Sequence, residues 1–482
     1  MTANQITVLL PFIVLAGLPV VLLLAIAVYR NARLSLGLTL TGLALALVTL
    51  APPQGAVPAM VTPLLTVDGL SLCFIALAAL AGAATVLLAH AGAAPADEPA
   101  EELHVLVSLA VLGAAVLAAS RHLASLFLGL ELISVSLFPM IAYARGRPEA
   151  LEAGIKYLVL SSVATGLLLF GTALLYTGLG SLELTAIGRA LAHGSGTQIW
   201  VLGGMALVLA GLAMKLSLVP LHWWTPDVYE GATPAVTGFL ASIAKTAVVV
   251  VLLRLLLASD ALTQAPVMVV LAGLAVLSML VGNLLALRQR QVVRILAYSS
   301  IAHMGYLLVA VLAALLGGTS ALGLEAVGFY LAAYVITTLG AFGALGLVGP
   351  ETGDLDALRG LSRRRPWLAA GFTLMLLSLA GIPLTAGFIG KVYLLAAGVD
   401  ASLWIPVGVL VATSVVGLFY YLRIIFALYS APPARAIAAP AFRPPTLAGG
   451  TTLAALTLAL LLLGTWPEPV IELFRAAIDA SL

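Results

Sequence analysis

Charged residues and cysteine are what this sequence has least of. Only 9% of its residues are charged, whereas a soluble domain carries about 25%. The single cysteine, Cys73, excludes a disulfide framework, a cysteine zinc site and an iron–sulfur cluster held by this chain. The net charge of +2 provides no basic field for nucleic acid. The only glycine-rich candidate, GLGS at 178–181, follows an apolar helix rather than a strand, so no nucleotide-binding fingerprint is present.

What the sequence has instead is long apolar runs, since 62% of the 482 residues are hydrophobic. A membrane-spanning helix needs about 20 such residues, and the pattern predicts an all-α polytopic membrane protein of about 14 transmembrane helices. The predicted spans are 6–28, 34–51, 67–91, 103–119, 122–144, 151–177, 198–220, 232–257, 265–287, 291–316, 324–348, 367–397, 402–430 and 446–465.

The basic residues divide by type. All four lysines (Lys156, Lys215, Lys245 and Lys391) lie inside apolar segments, whereas all 18 arginines lie in loops or near segment ends. A charge at the centre of a membrane helix costs about 2.5–3.5 kcal/mol on insertion scales. Arginine stays protonated in proteins, whereas a buried lysine can lose its proton. The division therefore suggests proton handling inside a membrane, and the alternative is that lysine is simply scarce in this chain.

The loop arginines predict the orientation. Thirteen arginines fall in loops that follow odd-numbered spans, and three (Arg121, Arg189 and Arg475) fall on the opposite side. Because arginine and lysine accumulate in cytoplasmic loops, both termini are expected on the periplasmic side of a bacterial inner membrane.

Two spans contain helix breakers. Pro220 interrupts the seventh span after Lys215, and Gly381 with Pro383 interrupts the twelfth before Lys391. Broken helices in corresponding positions are typical of inverted repeats in transporters. We therefore expect N-terminal helices 1–3 in residues 1–102, a repeat of helices 4–8 in 103–257, an inverted repeat of helices 9–13 in 258–430, and helix 14 with a tail in 431–482. Proline and glycine are also common in membrane helices without such a repeat.

One acidic residue, Glu131, is predicted near mid-membrane, in the fifth span. An isolated carboxylate there would become neutral, whereas a neighbouring ammonium would keep both groups charged. Lys215 is the expected partner. If the two separate, the lysine becomes an uncompensated cation that can pass its proton on. The alternative is a static ion pair that holds helices together.

The other candidates differ in depth. Lys391 lies beyond the break of the twelfth span, nearer the outer side, and fits an exit position. Lys245 lies mid-span in the eighth helix and could relay protons or be satisfied by backbone carbonyls. His303, near the centre of the tenth, could relay protons or simply be hydrogen-bonded. Lys156 could act similarly or extend to the cytoplasmic surface.

The turn between the seventh and eighth spans is polar and aromatic. His222 and Glu230 there could set proton access, while Asp227 and Glu230 could cap the eighth helix. Trp223 and Trp224 are interpreted as interfacial anchors.

Four segments carry a family resemblance: KLSLVPLHWWTPDVYEGATPAVTGFLASIAK (215–245), GLELISVSLFPMIAY (129–143), RILAYSSIAHMGYLL (294–308) and GIPLTAGFIGKVYLL (381–395). They resemble the antiporter-like membrane subunits of respiratory complex I, the proton-pumping NADH:quinone oxidoreductase, over nearly the whole chain. The N-type subunit fits best, because its twelfth-helix motif carries a lysine, as at Lys391. The M-type would place a glutamate there, and the L-type would add a long lateral helix.

The resemblance implies proton transfer through Glu131, Lys215, Lys245 and Lys391, with Lys156 as a further candidate. It also implies no cofactor in this chain. NADH, FMN, iron–sulfur clusters and quinone are expected on partner subunits, and the partners are expected to include M-type and small membrane subunits. Similar subunits occur in multisubunit cation/proton antiporters and in membrane-bound hydrogenases and ferredoxin-fed complexes, which remain the alternatives.

Overall fold

The computed structural model describes residues 3–51, 57–92, 100–144, 146–193, 198–258, 265–316, 321–349, 353–431 and 446–480, and they form a helical bundle. The helices of the first half are α1 (Ala3–Val28), α2 (Ala32–Val48), α3 (Gly69–Ala91), α4 (Glu101–Ala118), α5 (Leu123–Ile141), α6 (Pro148–Leu179), α7 (Leu184–Ala192), α8 (Ile199–Leu216), α9 (Trp224–Gly231), α10 (Pro234–Phe239) and α11 (Lys245–Leu257). Those of the second half are α12 (Ala265–Arg288), α13 (Val292–Leu316), α14 (Leu322–Val348), α15 (Leu361–Arg364), α16 (Pro366–Ala380), α17 (Ala386–Asp400), α18 (Trp404–Tyr429), α19 (Leu447–Thr465) and α20 (Glu468–Asp479).

The membrane-protein prediction is confirmed. In the described ranges, twelve helical segments are long and apolar enough to cross a bilayer, and α2 and α16 are shorter apolar helices. Each of the 14 predicted spans coincides with a helix or, at the eighth and twelfth, with consecutive helical pieces. In the eighth, a π-helical turn at Leu240–Ala244 joins α10 to α11.

Both predicted breaks are present, although the first lies earlier than expected. Helix α8 already ends at Leu216, and Ser217 adopts a left-handed backbone with φ of 63°. Pro220 therefore lies in the connection to α9 rather than inside the helix. In the twelfth span α16 ends at Ala380, and the next residue, Gly381, has a φ of 84°, which costs residues with a Cβ atom about 1–2 kcal/mol but not glycine.

Burial divides the helices into a centre and a periphery. Helices α11, α13 and α14 are buried on nearly all sides, which explains why they are apolar all round. Helices α1, α6 and α18 instead expose large apolar side chains such as Leu24, Phe170 and Val415. This exposed apolar surface is what a bilayer would cover.

Besides the short helices α9 and α15 and a 3-10 turn at Leu355–Leu358, three elements lie outside the predicted spans. Residues Ala59–Thr62 and Leu65–Val67 form a two-stranded antiparallel hairpin, a small exception to the all-α prediction. Helix α7 is short, with Leu184, Ile187 and Leu191 buried. Helix α20 packs against α3 and α14, where Gly69 lies so close to Ala477 that a Cβ atom would clash with its backbone. None of the three has the 20-residue apolar run on which span counting depends.

Ion pairs between helix ends are consistent with the predicted sidedness. The side that follows even-numbered spans, here named the second rim, holds the pairs Arg254–Asp68, Arg121–Glu183 and Arg475–Glu325. The opposite side, the first rim, holds Arg30–Glu102 and Arg294 with Asp227 and Glu230. Each pair joins residues predicted on one side. Of the arginines used for the orientation, Arg145, Arg435 and Arg443 lie outside the described residues.

Candidate functional site

The four lysines lie at different depths in the bundle. Lys245 on α11 and Lys391 on α17 are 1% and 8% exposed, and Lys215 in the last turn of α8 is partly buried. Lys156, early in α6, keeps 39% of its side chain exposed. Three lysines therefore belong to the interior and one to its edge.

Lys215 occupies the end of a broken helix. It is the second-last residue of α8, and the carbonyl end of a helix carries a partial negative charge that stabilises a nearby cation. Its ammonium donates to the hydroxyls of Ser134 on α5 and Ser161 on α6, at 2.7 and 2.6 Å. The break at Ser217 therefore places this lysine at a helix end inside the bundle.

Glu131 is close to Lys215 but does not form the predicted salt bridge with it. Its carboxylate instead accepts a hydrogen bond of 2.5 Å from Thr165 on α6. Thr165 lies one helical turn from Ser161, and Ser134 lies one turn from Glu131 on α5. Hydroxyl groups thus occupy the gap between carboxylate and ammonium. The expected pairing of Glu131 with Lys215 is therefore not a direct contact, because sequence spacing does not reveal side chains contributed by a third helix.

A cavity joins Lys215 to Lys245. Its volume is about 30 Å³, and both lysines line it together with Ser134, Ser161 and Tyr157. One water needs about 10–15 Å³ of such space and several polar partners. The cavity is therefore large enough for water between the two amines.

Lys245 is hydrogen-bonded to a hydroxyl rather than to an acid. Its ammonium donates to Ser300 on α13 at 2.9 Å, and Ser300 in turn pairs with the hydroxyl of Tyr334 on α14 at 2.7 Å. The ring of Tyr229 lies 5.6 Å below the ammonium, a cation–π distance. The π-helical turn ends at Ala244, immediately before Lys245, and such turns often occur at functional positions.

His303 lies one helical turn beyond Ser300 on α13. Its ring nitrogens pair with the hydroxyls of Tyr330 at 2.7 Å and Tyr421 at 3.2 Å. Its ring also packs against Tyr334 and Tyr306, with centroids 5.5 and 5.3 Å away. His303 is therefore enclosed by phenols, each able to donate or accept a proton.

Lys391 reaches back across the break between α16 and α17. Its ammonium donates to the backbone carbonyl of Ala380, the last residue of α16, at 2.9 Å. It also lies 5.3 Å from the ring centroid of Tyr306. Lys215 and Lys391 thus both sit at the carbonyl end of an interrupted helix. We refer to Lys215, Lys245, His303 and Lys391 as the central row.

An ion network lies at the first rim, below this row. Asp227 pairs with Lys156 and Arg294, both at 2.9 Å; Arg294 also pairs with Glu230 at 2.7 Å, and Lys156 with Glu152 at 2.6 Å. Burial opposes ionisation of Asp227, but hydrogen bonds from Lys156 and Arg294 outweigh it and lower the pKa of this carboxyl.

This network corrects one expectation. Asp227 and Glu230 do not cap the eighth span, because Thr233 holds the N-cap position of α10 without a side-chain hydrogen bond. Lys156, for which extension to the cytoplasmic surface was the alternative to a relay role, is ion-paired at the edge of the bundle.

The two candidates for proton access differ in their contacts. Glu230 is bound by Arg294. His222 lies between α8 and α9 with its ring against Tyr298, 6.5 Å between centroids, and its buried Nδ1 has no hydrogen-bond partner. Trp224 is buried and donates to the carbonyl of Met214 at 3.0 Å, so only the exposed Trp223 fits an interfacial anchor.

Sequence reasoning missed the hydroxyl groups that connect the candidates. These are Thr165, Ser134, Ser161, Ser300, Tyr330, Tyr334 and Tyr421. A signal was available for some of them, since Ser300 lies three residues before His303, and Tyr330 and Tyr334 share one face of α14 at i, i+4 spacing. Within the described ranges no group of three or more His, Cys, Asp or Glu side chains could hold a metal ion.

Known proteins match the chain along its length. Residues 120–417 match the family model described as NADH:quinone oxidoreductase/Mrp antiporter, transmembrane. The NADH-quinone oxidoreductase subunit N of Ectopseudomonas mendocina (strain ymp) is 47% identical over 491 aligned residues, which cover 100% of this chain and 98% of that protein.

Solved structures agree with the family. A chain of respiratory complex I from Thermus thermophilus with bound aureothin is 36% identical with a TM-score of 0.83, covering 97% of this chain and all of that one. A chain of the Mrp complex from Dietzia sp. DQ12-45-1b shares the fold at 24% identity, with a TM-score of 0.86 and coverage of 99% and 97%. The chain therefore belongs to the NADH:quinone oxidoreductase/Mrp antiporter family, within which it is an N-type, proton-translocating membrane subunit of NADH:quinone oxidoreductase.

Proposed function

We propose that the central row carries the protons this subunit translocates, with Glu131 controlling its first member. One observation supports this more than any other: Lys215 and Lys245 line the same cavity, and Lys245 continues through Ser300 and Tyr334 to the surroundings of His303. Neutral hydroxyls, phenols and imidazole can both accept and donate protons. A cavity of this size can supply the remaining link as water.

The chemistry of the partners supports exchange over a fixed charge. Lys245 donates to a hydroxyl and Lys391 to a backbone carbonyl, and neither group holds a cation as firmly as a carboxylate does. Glu131 acts on Lys215 across the intervening hydroxyls. A movement that brings the carboxylate nearer would favour the charged amine, and a movement away would favour release toward Lys245.

Several wider roles belong to the same proposal. The chain is a non-redox subunit, with NADH, FMN, iron–sulfur clusters and quinone on its partners, which include M-type and small membrane-arm subunits. It lies in a bacterial inner membrane with both termini periplasmic, as the arginine bias favours.

Helices 4–8 and 9–13 form inverted repeats, within domains 1–102, 103–257, 258–430 and 431–482. The two helix breaks, each with a lysine ammonium at the carbonyl end of the interrupted helix, support the repeat.

Lys156, His222 and Glu230 have weaker support as proton carriers. Lys156 and Glu230 are held in the ion network of the first rim, so we assign them to holding helix ends together. His222, with its unpaired Nδ1, remains the candidate for proton access from that rim.

The decisive test is Lys215→Arg in the assembled complex. Arginine keeps the positive charge but does not release a proton, so a relay stops while a structural cation is preserved. We expect NADH-driven proton uptake into vesicles to fall by roughly 100-fold, the usual contribution of a positioned acid–base group. Lys156→Arg is the matched comparison and should change uptake less than about twofold, because its ion pairs are retained. Normal pumping by Lys215→Arg complexes would contradict the relay.

A further inference from the structure

A second, smaller cavity lies beside the partner of Lys245. Its volume is about 10 Å³, and its polar lining consists of Ser299, Ser300, Tyr334 and Thr338. The rest of the wall is apolar and comes from α13, α14 and α16. This volume is close to the minimum for a single water molecule. The cavity lies on the side of Ser300 that faces the start of α13, where Arg294 marks the first rim.

Thr338 gives this cavity its chemical character. It is 4% exposed, and its hydroxyl faces that of Tyr334 but forms no hydrogen bond of good geometry with it or with any other group of the described residues. A threonine hydroxyl inside a helix ordinarily donates to the carbonyl one turn earlier, as the neighbouring Thr337 does to Ala333 at 2.7 Å. Tyr334, one turn before Thr338 on α14, is already paired with Ser300. A buried hydroxyl without a partner destabilises a protein by about 1–3 kcal/mol. A polar ligand in the cavity that hydrogen-bonds to Thr338 would remove this free-energy cost.

We infer that Thr338 binds one water molecule in this cavity, and that the water bridges Thr338 to the Ser300–Tyr334 hydroxyl pair. Ser300 is the group to which Lys245 donates. The water fixes the orientation of that hydroxyl pair, and Thr338 is therefore a positioning residue for Lys245. The effect on proton transfer rests on the proposed function, whereas the presence of the water does not.

The chain provides a matched control. Thr246, next to Lys245 on α11, is also 4% exposed and also has a hydroxyl without a partner, but it lines neither this cavity nor the one shared by the lysines. Thr246→Val and Thr338→Val both replace a hydroxyl with a methyl group at equally buried sites. Only the second removes a proposed water ligand. Thr338→Ser keeps the hydroxyl and should rescue the site, and Thr338→Ala is a second hydroxyl-free variant if valine impairs assembly.

The test combines a cryo-EM density map with a measured rate of proton uptake, both obtained on the complete complex. A cryo-EM map that resolves ordered water should place a peak within about 3.2 Å of the Thr338 and Ser300 hydroxyls, and Thr338→Val should abolish it. Proton uptake per unit time should fall at least threefold in Thr338→Val or Thr338→Ala and stay unchanged in Thr338→Ser and Thr246→Val. An empty cavity in the parent complex, or equal rates in the two valine variants, would overturn the inference. A clear water peak together with normal pumping by Lys215→Arg would instead mean that the relay is wrong.

Discussion

The interior and the two rims of this subunit hold their cations in different ways. At the rims Arg254 pairs with Asp68 and Arg294 with Asp227 and Glu230, so each of these charges faces an opposite charge. Arg423 on the first rim instead donates to backbone carbonyls and, being arginine, stays charged there. In the interior, Lys245 and Lys391 have a hydroxyl and a carbonyl as hydrogen-bond partners. A carboxylate stabilises only the charged state of its partner, whereas a hydroxyl can donate to a neutral amine and accept from a charged one. The rims are therefore suited to holding helix ends, and the interior to exchanging protons.

Replacing the hydroxyl partner of an interior lysine with a carboxylate, as found at the rims, should have the largest effect on proton uptake. Ser300→Asp would place a carboxylate where the Lys245 ammonium now meets a hydroxyl at 2.9 Å. We expect the amine to become a fixed cation and proton uptake by the complex to fall roughly 100-fold. Ser300→Ala removes the hydroxyl without adding charge and should reduce uptake less. If Ser300→Asp pumps as well as Ser300→Ala, the contrast between interior and rim has no functional meaning.

Breaking a buried ion pair at a rim should lower the stability of the protein and leave the number of protons transported per electron unchanged. Asp68 is 5% exposed, receives two hydrogen bonds from Arg254 at 2.7 and 2.9 Å, and caps α3. Asp68→Asn should destabilise the folded chain by about 3 kcal/mol, because a partly buried arginine loses its counter-charge. Thermal unfolding of the purified complex measures this loss.

The control for this variant is Glu325→Gln, whose partner Arg475 is largely exposed, so a smaller decrease is expected. A proton-to-electron ratio that falls in Asp68→Asn would show that the second rim does more than hold helices.

The smallest effect is expected at the partly exposed pair of Arg121 and Glu183, whose side chains are 23% and 33% exposed. Hydrogen bonds from Thr185 and then Arg121 lower the pKa of the Glu183 carboxyl. A carboxyl with a lowered folded-state pKa stabilises the protein above its unfolded pKa of about 4.3 and loses that contribution on acidification. Glu183→Gln should therefore cost roughly 0–1 kcal/mol at pH 7. Parent and variant should converge below about pH 4 in thermal melts, and a gap that widens on acidification would contradict this assignment.

Much of the fold could be read from the sequence because the bilayer imposes it. Any segment that crosses hydrocarbon must satisfy its backbone internally and present about 20 apolar residues, so each predicted span coincides with helical segments among the described residues. The breaks at Ser217 and Gly381 were predicted nearby because Pro220 and Pro383 cannot continue a helix. The hairpin at Ala59–Val67 and helix α20 were not predicted, because each has too few apolar side chains to count as a span. Those side chains become buried only by packing against other helices.

The sequence by itself determined which groups could carry charge inside the membrane: Lys215, Lys245, Lys391, His303 and Glu131 stand out because a polar group in an apolar run is expensive. Only the tertiary structure decided which side chains contact each of these groups. Ser134 and Ser161 come from different helices to contact Lys215, and Ser300 reaches Lys245 from a residue 55 positions away. Serine, threonine and tyrosine are common in membrane helices and cost little to bury when hydrogen-bonded, so their positions in the sequence carry no comparable signal. Helix packing determines which of these side chains contact a buried amine. Those contacts in turn determine whether the amine stays charged or can exchange its proton.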